Sequence, residues 1–354
     1  MTQPQRILVL HTAFLGDIIL TLPMVQVLKR NLPGSFISFL AIPVSAAVVR
    51  NHPSISQVIE FDKKGKDSGV SGLLRCAAML RKENYDTAIV PHRSLRSALL
   101  PVFARIPERI GFTTSAGKFL LTKRVPYVMN RHEILRNLDL LGPLGIKGSM
   151  ELPELYPSAT DAETVDGMIG ASLPHLSSGP GLVAIAPGSI WETKRWPGEK
   201  FAELARLLTA AGYVVALIGS KEDSALAEKI AQSEEPGRVL NAAGKLSMLQ
   251  SAELIRRSGV LVSNDSAPMH AGVAMGTPVV ALFGATVPEF GFGPLGPRDR
   301  IHQTQGLVCR PCSIHGGRKC PIGTFECMHR ITPEQVFQTV IELMNPPRSI
   351  GKAH

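Results

Sequence analysis

Arg6-Ile-Leu-Val-Leu10 is followed by His11-Thr-Ala-Phe-Leu-Gly16-Asp17 and then by a helical pattern from Ile18 to Lys29. The first run is short, continuous and apolar, which is typical of a strand buried on both faces of a parallel sheet. Apolar runs and helical patterns of similar length continue to alternate up to residue 90. This alternation predicts a doubly wound α/β domain, in which helices cover both faces of a parallel sheet.

The alternation stops at residues 149–180, where Pro, Ser and Gly concentrate, and restarts at Leu182-Val-Ala-Ile-Ala186. A chain of 354 residues also exceeds what one hydrophobic core usually supports. We therefore predict two Rossmann-like domains, at 1–160 and 181–354, joined by a linker at 161–180.

The last helical pattern runs from Pro333 to Met344, with Thr332 as its N-cap. It either closes the second domain or packs back on the first. Two doubly wound halves bind ligands in the cleft between them, at the carboxyl ends of their strands. The functional residues are therefore expected in the turns that follow strands.

The apolar share of the sequence is 44% and the charged share is 19%, which is ordinary for a globular protein. No apolar run reaches the ~18–20 residues that a membrane span needs. The run from Ile7 to Leu10 is also too short for the core of a signal peptide. These observations predict a cytoplasmic protein.

The formal net charge of +9 is concentrated between residues 93 and 136. Cations outnumber Glu108 and Glu133 there: Arg93, Arg96, Arg105, Arg109, Lys118, Lys123, Arg124, Arg131 and Arg136. A solvated surface explains any one of them, but their density favours an anionic ligand or a membrane surface. Aromatic side chains are scarce in the stretch, which argues against nucleic acid bound by stacking.

The turn after the first strand has one glycine, Gly16, where the dinucleotide-binding fingerprint G-x-G-x-x-G has three. This difference argues against an NAD-dependent enzyme. Asp17 follows the glycine and is expected at the top of the sheet, facing the cleft. A helix N-cap would also explain an Asp at this position, so both roles are open for Asp17.

The second domain opens with Ala186-Pro-Gly-Ser-Ile-Trp-Glu-Thr-Lys194-Arg195-Trp196-Pro197, in which a loop with two cations connects a strand to a helix. From the carboxyl edge of the sheet, Ser189 and Lys194 can both reach a phosphate, and Lys binds phosphate as a point charge. The alternative is that Lys194 is an exposed loop cation. Trp196 is expected in the core.

Two further strand ends carry polar residues. Val262-Ser-Asn-Asp265-Ser266-Ala-Pro-Met-His270 runs from a strand into a helix, whose N-terminus is a ready anion site. A packed His270 and a capping Asp265 are the alternatives there. Gly219-Ser-Lys-Glu-Asp223 follows another strand, and Asp223 is placed either on ribose hydroxyls or at a helix cap.

Metal ligands are few. No D-x-D motif occurs, and the nearest approach, Asp161-Ala-Glu163, lies in the predicted linker, so no carboxylate pair for a catalytic metal is evident. Cys309-Arg-Pro-Cys312, with Cys320 and Cys327, has the pattern of a structural metal site, and the cytosol disfavours disulfides. Four unrelated buried thiols or an opportunistic disulfide explain the same cysteines equally well.

Together these segments resemble the ADP-heptose:lipopolysaccharide heptosyltransferases, and type II in particular. That family contains inverting, metal-independent enzymes with the GT-B fold, which act in lipopolysaccharide inner-core biosynthesis. The resemblance covers nearly the whole chain. It is carried by Gly16-Asp17, Arg93-Ser-Leu-Arg-Ser-Ala-Leu-Leu-Pro101, Ile106-Pro-Glu-Arg-Ile-Gly111, Lys194-Arg-Trp-Pro197 and Asn264-Asp-Ser266 with His270.

The resemblance implies a role for each candidate residue. An ADP-heptose donor is expected on the C-terminal domain. An anionic heptosyl-Kdo2-lipid A acceptor, at the cytoplasmic face of the inner membrane, is expected on the N-terminal domain. Asp17 would be the general base, Lys194 would stabilise the leaving phosphate, and Arg93 and Arg96 would contact the acceptor. The donor would be bound by Ser189, Lys194, Asp265, Ser266 and His270 at the diphosphate, by Asp223 at the ribose, and around Leu246 at the adenine. No cofactor is implied for catalysis.

Two other functions fit part of the sequence. A GT-B enzyme of lipopolysaccharide core assembly that uses another nucleotide sugar would carry similar motifs. A non-catalytic module that binds acidic lipid or nucleic acid through the basic stretch would leave the cleft motifs of both domains unexplained. A hydride-transfer enzyme is a distant third because the glycine fingerprint is missing.

Overall fold

The chain divides into two compact units, Met1–Tyr156 and Pro157–His354, in a computed structural model that describes residues 5–345. Each unit contains one six-stranded sheet, and neighbouring strands are parallel throughout both sheets. The predicted α/β class with two doubly wound halves is therefore confirmed.

The first unit has the strand order β3-β2-β1-β4-β5-β6. Its strands are β1 (Arg6–Leu10), β2 (Phe36–Ala41), β3 (Gln57–Glu60), β4 (Thr87–Val90), β5 (Glu108–Phe112) and β6 (Lys123–Val125). Its helices are α1 (Leu15–Ile19), α2 (Leu22–Asn31), α3 (Pro43–Val49), α4 (Gly69–Lys82), α5 (Leu95–Phe103) and α6 (Glu133–Asp139), with 3-10 turns at Lys118–Leu120 and Gly142–Leu144. The central strand β1 is fully buried from Ile7 to Leu10, as its apolar run predicts.

The helix predicted from Ile18 to Lys29 is in fact two helices, because the helical conformation is interrupted at Leu20 and Thr21. Pro23 lies in the first turn of α2, where its missing N–H costs nothing. In a continuous helix its ring would clash with the carbonyl of Ile19, four positions earlier. The break leaves α1 as a short helix that carries Asp17.

The second unit has the strand order β12-β11-β10-β7-β8-β9. Its strands are β7 (Leu182–Ala186), β8 (Val214–Leu217), β9 (Val239–Asn241), β10 (Val260–Asn264), β11 (Val279–Phe283) and β12 (Arg300–Gln303). Its helices are α7 (Ala159–Ser172), α8 (Gly198–Ala210), α9 (Ser224–Gln232), α10 (Met248–Arg257), α11 (Ala267–Ala274), α12 (Glu326–His329) and α13 (Pro333–Met344). Short 3-10 turns occur at Pro174–Ser178, Glu192–Lys194, Lys221–Asp223 and Pro288–Phe290.

Most of the predicted linker at 161–180 is helical, which corrects the sequence interpretation. The Ser158 hydroxyl accepts from the backbone N–H of Asp161, and the Asp161 carboxylate accepts from the backbone N–H of Ser158. Polar residues that suggested a linker therefore form the capping box of α7. The helix packs on α10 within the second unit, and Val165 is fully buried. Asp161-Ala-Glu163 accordingly lies in the first turn of a helix.

The last helix, α13, packs on α8 and on β10 of its own unit, where Val336 and Val340 are fully buried. It begins at the predicted N-cap, Thr332, whose hydroxyl accepts from the backbone N–H of Gln335. None of the helices within residues 5–345 is both long and apolar enough to cross a membrane.

Candidate active site

The polar residues of the second unit gather at the carboxyl edge of its sheet. Asn264, the last residue of β10, is fully buried and holds the two ends of the loop after β7. Its side-chain oxygen accepts from the backbone N–H of Trp196 at 3.0 Å, and its amide donates to the carbonyl of Pro187 at 2.9 Å. The loop after β7 is thereby tied to the end of β10.

Lys194 ends a 3-10 turn in that loop, and its Nζ lies 2.7 Å from Oδ2 of Asp265. The two side chains are only 13% and 7% exposed. Thr286 donates to the same carboxylate oxygen at 2.6 Å. Lys194 is therefore an oriented cation in an ion pair, and the alternative of an exposed loop cation is wrong. Trp196 lies in the core, as predicted.

The ion pair lies beside the start of α11, because Asp265 immediately precedes Ser266, the N-cap residue of that helix. The Ser266 hydroxyl bonds to the carbonyl of Asn264 at 3.3 Å and does not cap the helix. Backbone N–H groups in the first turn have no partner within the helix, and together with Lys194 they suit an anion. His270 is buried one turn further along α11.

Ser189 lies in the same loop as Lys194, and Asp223 lies against that loop. Arg195 donates to the carbonyl of Ser189 at 2.7 Å, which fixes the turn after Gly188. A Cβ at Gly188 would stand 2.4 Å from the carboxyl group of Asp223, so a larger residue would displace that carboxylate. The structure thus brings Ser189, Asp223 and Lys194 to one edge of the sheet.

The predicted alternative for Asp223, a helix cap, is present. Its Oδ2 accepts from the backbone N–H and the hydroxyl of Ser220, at 2.9 and 2.8 Å. Leu246 is half-buried just after the neighbouring strand β9. The capping contact uses one carboxylate oxygen and does not test the ribose and adenine roles of these two residues, which stay predictions.

Three residues that support the ion pair were missed from the sequence: Thr193, Thr286 and Arg310. The buried Thr193 exchanges two bonds with Gly317: its N–H donates to the Gly317 carbonyl at 3.0 Å, and its hydroxyl accepts from the Gly317 N–H at 2.7 Å. Arg310 donates to the carbonyl of Thr286 at 2.7 Å and to Oε1 of Gln303 at 2.8 Å. Segment 304–317 therefore holds the turn with Lys194 and the loop that carries Thr286.

The cysteines of this region do not form the arrangement expected of a structural metal site. Across residues 5–345, no three His, Cys, Asp or Glu side chains are close enough together to hold a metal ion. All five cysteines are free thiols, and Cys327 is buried in the core cluster of the unit. Burial raises the pKa of Cys312 and of Cys327, and the other thiols nearby raise both further. Cys309 and Cys312 lie in segment 304–317, which supports the loop that carries Lys194.

In the first unit, Asp17 lies in the first turn of α1, the helix that follows β1. The N-cap residue of α1 is Phe14, so Asp17 is not its N-cap. The Thr21 hydroxyl donates to the backbone carbonyl of Asp17 at 2.8 Å and lies 2.7 Å from Nδ1 of His11. Burial, then His92 and Lys63, keep the pKa of His11 well below its usual value, so this imidazole is neutral.

The two arginines predicted for the acceptor differ in their contacts. Arg93 is exposed, with its guanidinium 4.2 Å from the centre of the Tyr127 ring. Arg96 instead donates to the carbonyls of Asp67 at 2.7 Å and Lys63 at 3.3 Å, and it stacks 5.0 Å from the Phe61 ring. Arg96 therefore supports the loop at 62–69, which is a structural use of its charge.

A third cation, missed from the sequence, lies nearer to the end of β1. Lys63 donates to the carbonyl of Thr12 at 2.6 Å, and the Thr12 hydroxyl lies 3.0 Å from Nδ1 of His92. Burial lowers the pKa of Lys63, and Lys64 and Arg96 add to the effect. Burial, then Lys63 and Arg93, lower the pKa of His92 to about 4. The carboxyl edge of the first sheet therefore combines cations with neutral imidazoles.

Known proteins are similar to this chain in sequence and in architecture. The sequence profile described as glycosyltransferase family 9 (heptosyltransferase) matches residues 73–320. The chain belongs to this glycosyltransferase family. It is 30% identical to lipooligosaccharide heptosyltransferase 2 of Haemophilus influenzae, over 96% of this chain and 99% of the relative. It is 28% identical to lipopolysaccharide heptosyltransferase 2 of Salmonella typhimurium, with the same two coverages.

A solved family 9 glycosyl transferase from Veillonella parvula superposes on the chain with a TM-score of 0.84, at 25% identity over 96% of this chain and 97% of that one. The resemblance to the heptosyltransferases, with type II among the similar relatives, is thereby confirmed, as is the GT-B architecture.

We expect the Thr193 hydroxyl to hold the turn that carries Lys194. Thr193→Val keeps the volume of the side chain but leaves the Gly317 N–H without its acceptor, at a cost of roughly 1–3 kcal/mol. Amide hydrogen exchange at 192–195 and at Gly317 should become about tenfold faster by the same principle, when opening is local. Thr193→Ser is the matched control and should exchange like the wild type. Unchanged exchange in Thr193→Val would mean that the turn is held without this bond.

Proposed function

We propose that this family 9 glycosyltransferase moves L-glycero-D-manno-heptose from ADP-heptose to the heptosyl-Kdo2-lipid A inner core, with inversion and without a catalytic metal. The observation that carries the proposal is the oriented Lys194 beside the start of α11, at the carboxyl edge of a parallel sheet. A diphosphate is the ligand that suits a cation and a helix N-terminus together. The type 2 heptosyltransferases among the relatives support the choice of sugar and acceptor.

The second unit is the proposed donor domain. Lys194, Ser189 and the first turn of α11 bind the diphosphate, with Asp265 and Ser266 shaping the turn and His270 lining it. Asp223 binds the ribose from the turn after β8, and the adenine lies near Leu246 after β9. Negative charge grows on the leaving phosphate as the glycosidic bond breaks, and Lys194 with the helix dipole stabilises it in place of a metal ion.

The first unit is the proposed acceptor domain. Asp17 removes the proton from the attacking heptose hydroxyl, whose oxygen forms a bond to the anomeric carbon of the donor. The bond from that carbon to the phosphate oxygen breaks on the opposite face, so the configuration inverts and ADP leaves. Lys63 and Arg93 attract the phosphate and carboxylate groups of the acceptor. An acceptor anchored in lipid places the enzyme at the cytoplasmic face of the inner membrane.

Lys194→Ala should weaken ADP binding and lower kcat by roughly 10²–10³, because the cation interacts most strongly with the leaving phosphate in the transition state. Calorimetry with ADP and initial rates of heptose transfer measure the two effects. Lys221→Ala, which removes an exposed cation from a neighbouring turn, is the control. The double variant Lys194→Met with Asp265→Asn removes both charges, so its low activity with a normal fold would exclude a mere folding defect. Wild-type behaviour of Lys194→Ala would place the diphosphate elsewhere.

Asp17→Asn should lower kcat by roughly 10²–10⁴, because an amide cannot accept the proton that a general base removes. The affinity for ADP-heptose should be nearly unchanged, since only the proton transfer is affected. Near-normal turnover at saturating acceptor would remove Asp17 from the chemistry.

Arg93→Ala should raise the KM for the acceptor and leave the KM for ADP-heptose unchanged, because this exposed cation lies in the proposed acceptor domain. Arg96→Ala should raise the acceptor KM through Lys63, whose loop it supports, and should also speed hydrogen exchange at 62–69. That second effect should be absent in Arg93→Ala. If either change acted only on the donor KM, the assignment of the two domains would be reversed.

A further inference from the structure

An apolar strip is exposed on the first unit. Leu95 and Phe103 of α5 are 43% and 42% exposed, and Phe119, in the 3-10 turn between β5 and β6, is 72% exposed. Leu99 lies between the first two on the same side of the helix and is partly exposed. We call this strip, together with the cations around it, the α5 face.

The 3-10 turn packs against α5, so Phe119 adds to the strip. The backbone N–H of Ala116 donates to the carbonyl of Arg93 at 2.9 Å. A Cβ at Gly117 would stand 2.4 Å from the Cβ of Ala98 and 3.3 Å from Cδ1 of Leu95, so the missing side chain permits this approach. The surface of α5 and that of the turn are therefore neighbours.

Exposed cations lie on the same segments as the strip and on the strand that follows: Arg93, Arg105, Lys118 and Arg124. Within residues 5–345, no ion pair joins any of these four to a carboxylate. Glu108 is the single acidic residue between 93 and 124 in the sequence. Arg109 lies in the same stretch, but it donates to the carbonyls of Leu120 and Ile106 and is not part of this set.

We propose that the α5 face binds the surface of a membrane that contains anionic lipid. Partly exposed apolar side chains flanked by cations are the combination that enters the boundary between headgroups and acyl chains. Each cation near such a surface strengthens binding about five-fold. Nucleic acid would use the cations but would leave the aliphatic Leu95 and Leu99 without a role, because bases stack on aromatic rings.

The position of the face suits a lipid-anchored acceptor. Arg93 lies at the end of α5 that adjoins the carboxyl edge of the first sheet, where Lys63 and Asp17 are found. A membrane on this face would hold lipid headgroups close to the acceptor cations. Only this link to the acceptor rests on the proposed function, since binding of the α5 face to a membrane involves no sugar transfer.

Vesicle co-sedimentation of the full chain tests the proposal, with vesicles of phosphatidylcholine alone or with phosphatidylglycerol added. The wild type should sediment with the anionic vesicles and much less with the neutral ones. Phe103→Ser with Phe119→Ser should bind anionic vesicles about tenfold more weakly, from the lost burial of two aromatic side chains. Lys118→Glu with Arg124→Glu should lose binding as well. The control is Val308→Ser with Leu295→Ser, which changes two exposed apolar residues of the other unit and should bind like the wild type.

Three results would overturn the proposal: equal binding to both kinds of vesicle, unchanged binding of the Phe variant, or an equal loss in the control. RNA oligonucleotide binding that the charge-reversal variant loses and the Phe variant keeps, without vesicle binding by the wild type, would identify nucleic acid as the partner. Heptose transfer to a delipidated, water-soluble acceptor is measured in parallel. Its absence in the wild type would contradict the proposed function and leave the vesicle result standing, whereas a normal rate in the Phe variant shows that the variant is folded.

Discussion

The ion pair between Lys194 and Asp265 is the interaction on which the site of the second unit depends. Both side chains are largely removed from water, so either charge would be costly without the other. The pair fixes the position of the cation before any ligand arrives. A cation that is already oriented needs little rearrangement when negative charge develops beside it, and this preorganisation is what lowers a barrier.

The surrounding hydrogen bonds hold the two segments that carry the ion pair in position. Asn264 ties the loop after β7 to the end of β10, and Thr286 holds the carboxylate of Asp265. Segment 304–317 then supports both ends, through Arg310 on one side and Gly317 on the other. A parallel sheet makes this possible, because strands distant in sequence end at the same edge.

The sequence predicts most of the structural features that depend on the local pattern of residues. Buried strands have continuous apolar runs, so both sheets were recognisable, and Lys194 and Asp265 stood out because they follow strand ends. The break before α2 and the capping box of α7 depend on single residues, Pro23 and Ser158, that periodicity does not weigh. Thr193, Thr286 and Arg310 had no signal, because their partners lie far away in the chain. The use of Arg96 on backbone carbonyls and the arrangement of the cysteines depend likewise on tertiary contacts.

The carboxyl edge of the first sheet combines cations with two imidazoles whose pKa values are lowered. Burial, then Lys63 and Arg93, lower the pKa of His92 to about 4, and burial, then His92 and Lys63, lower the pKa of His11 well below its usual value. Below about pH 6.5 an unfolded chain protonates such histidines, whereas the folded unit resists protonation of His92 until about pH 4, so acid in that window favours unfolding. Above it, both imidazoles are neutral and serve as hydrogen-bond partners for Thr12 and Thr21. With both imidazoles neutral, the proposed attraction of an anionic acceptor depends on Lys63 and Arg93.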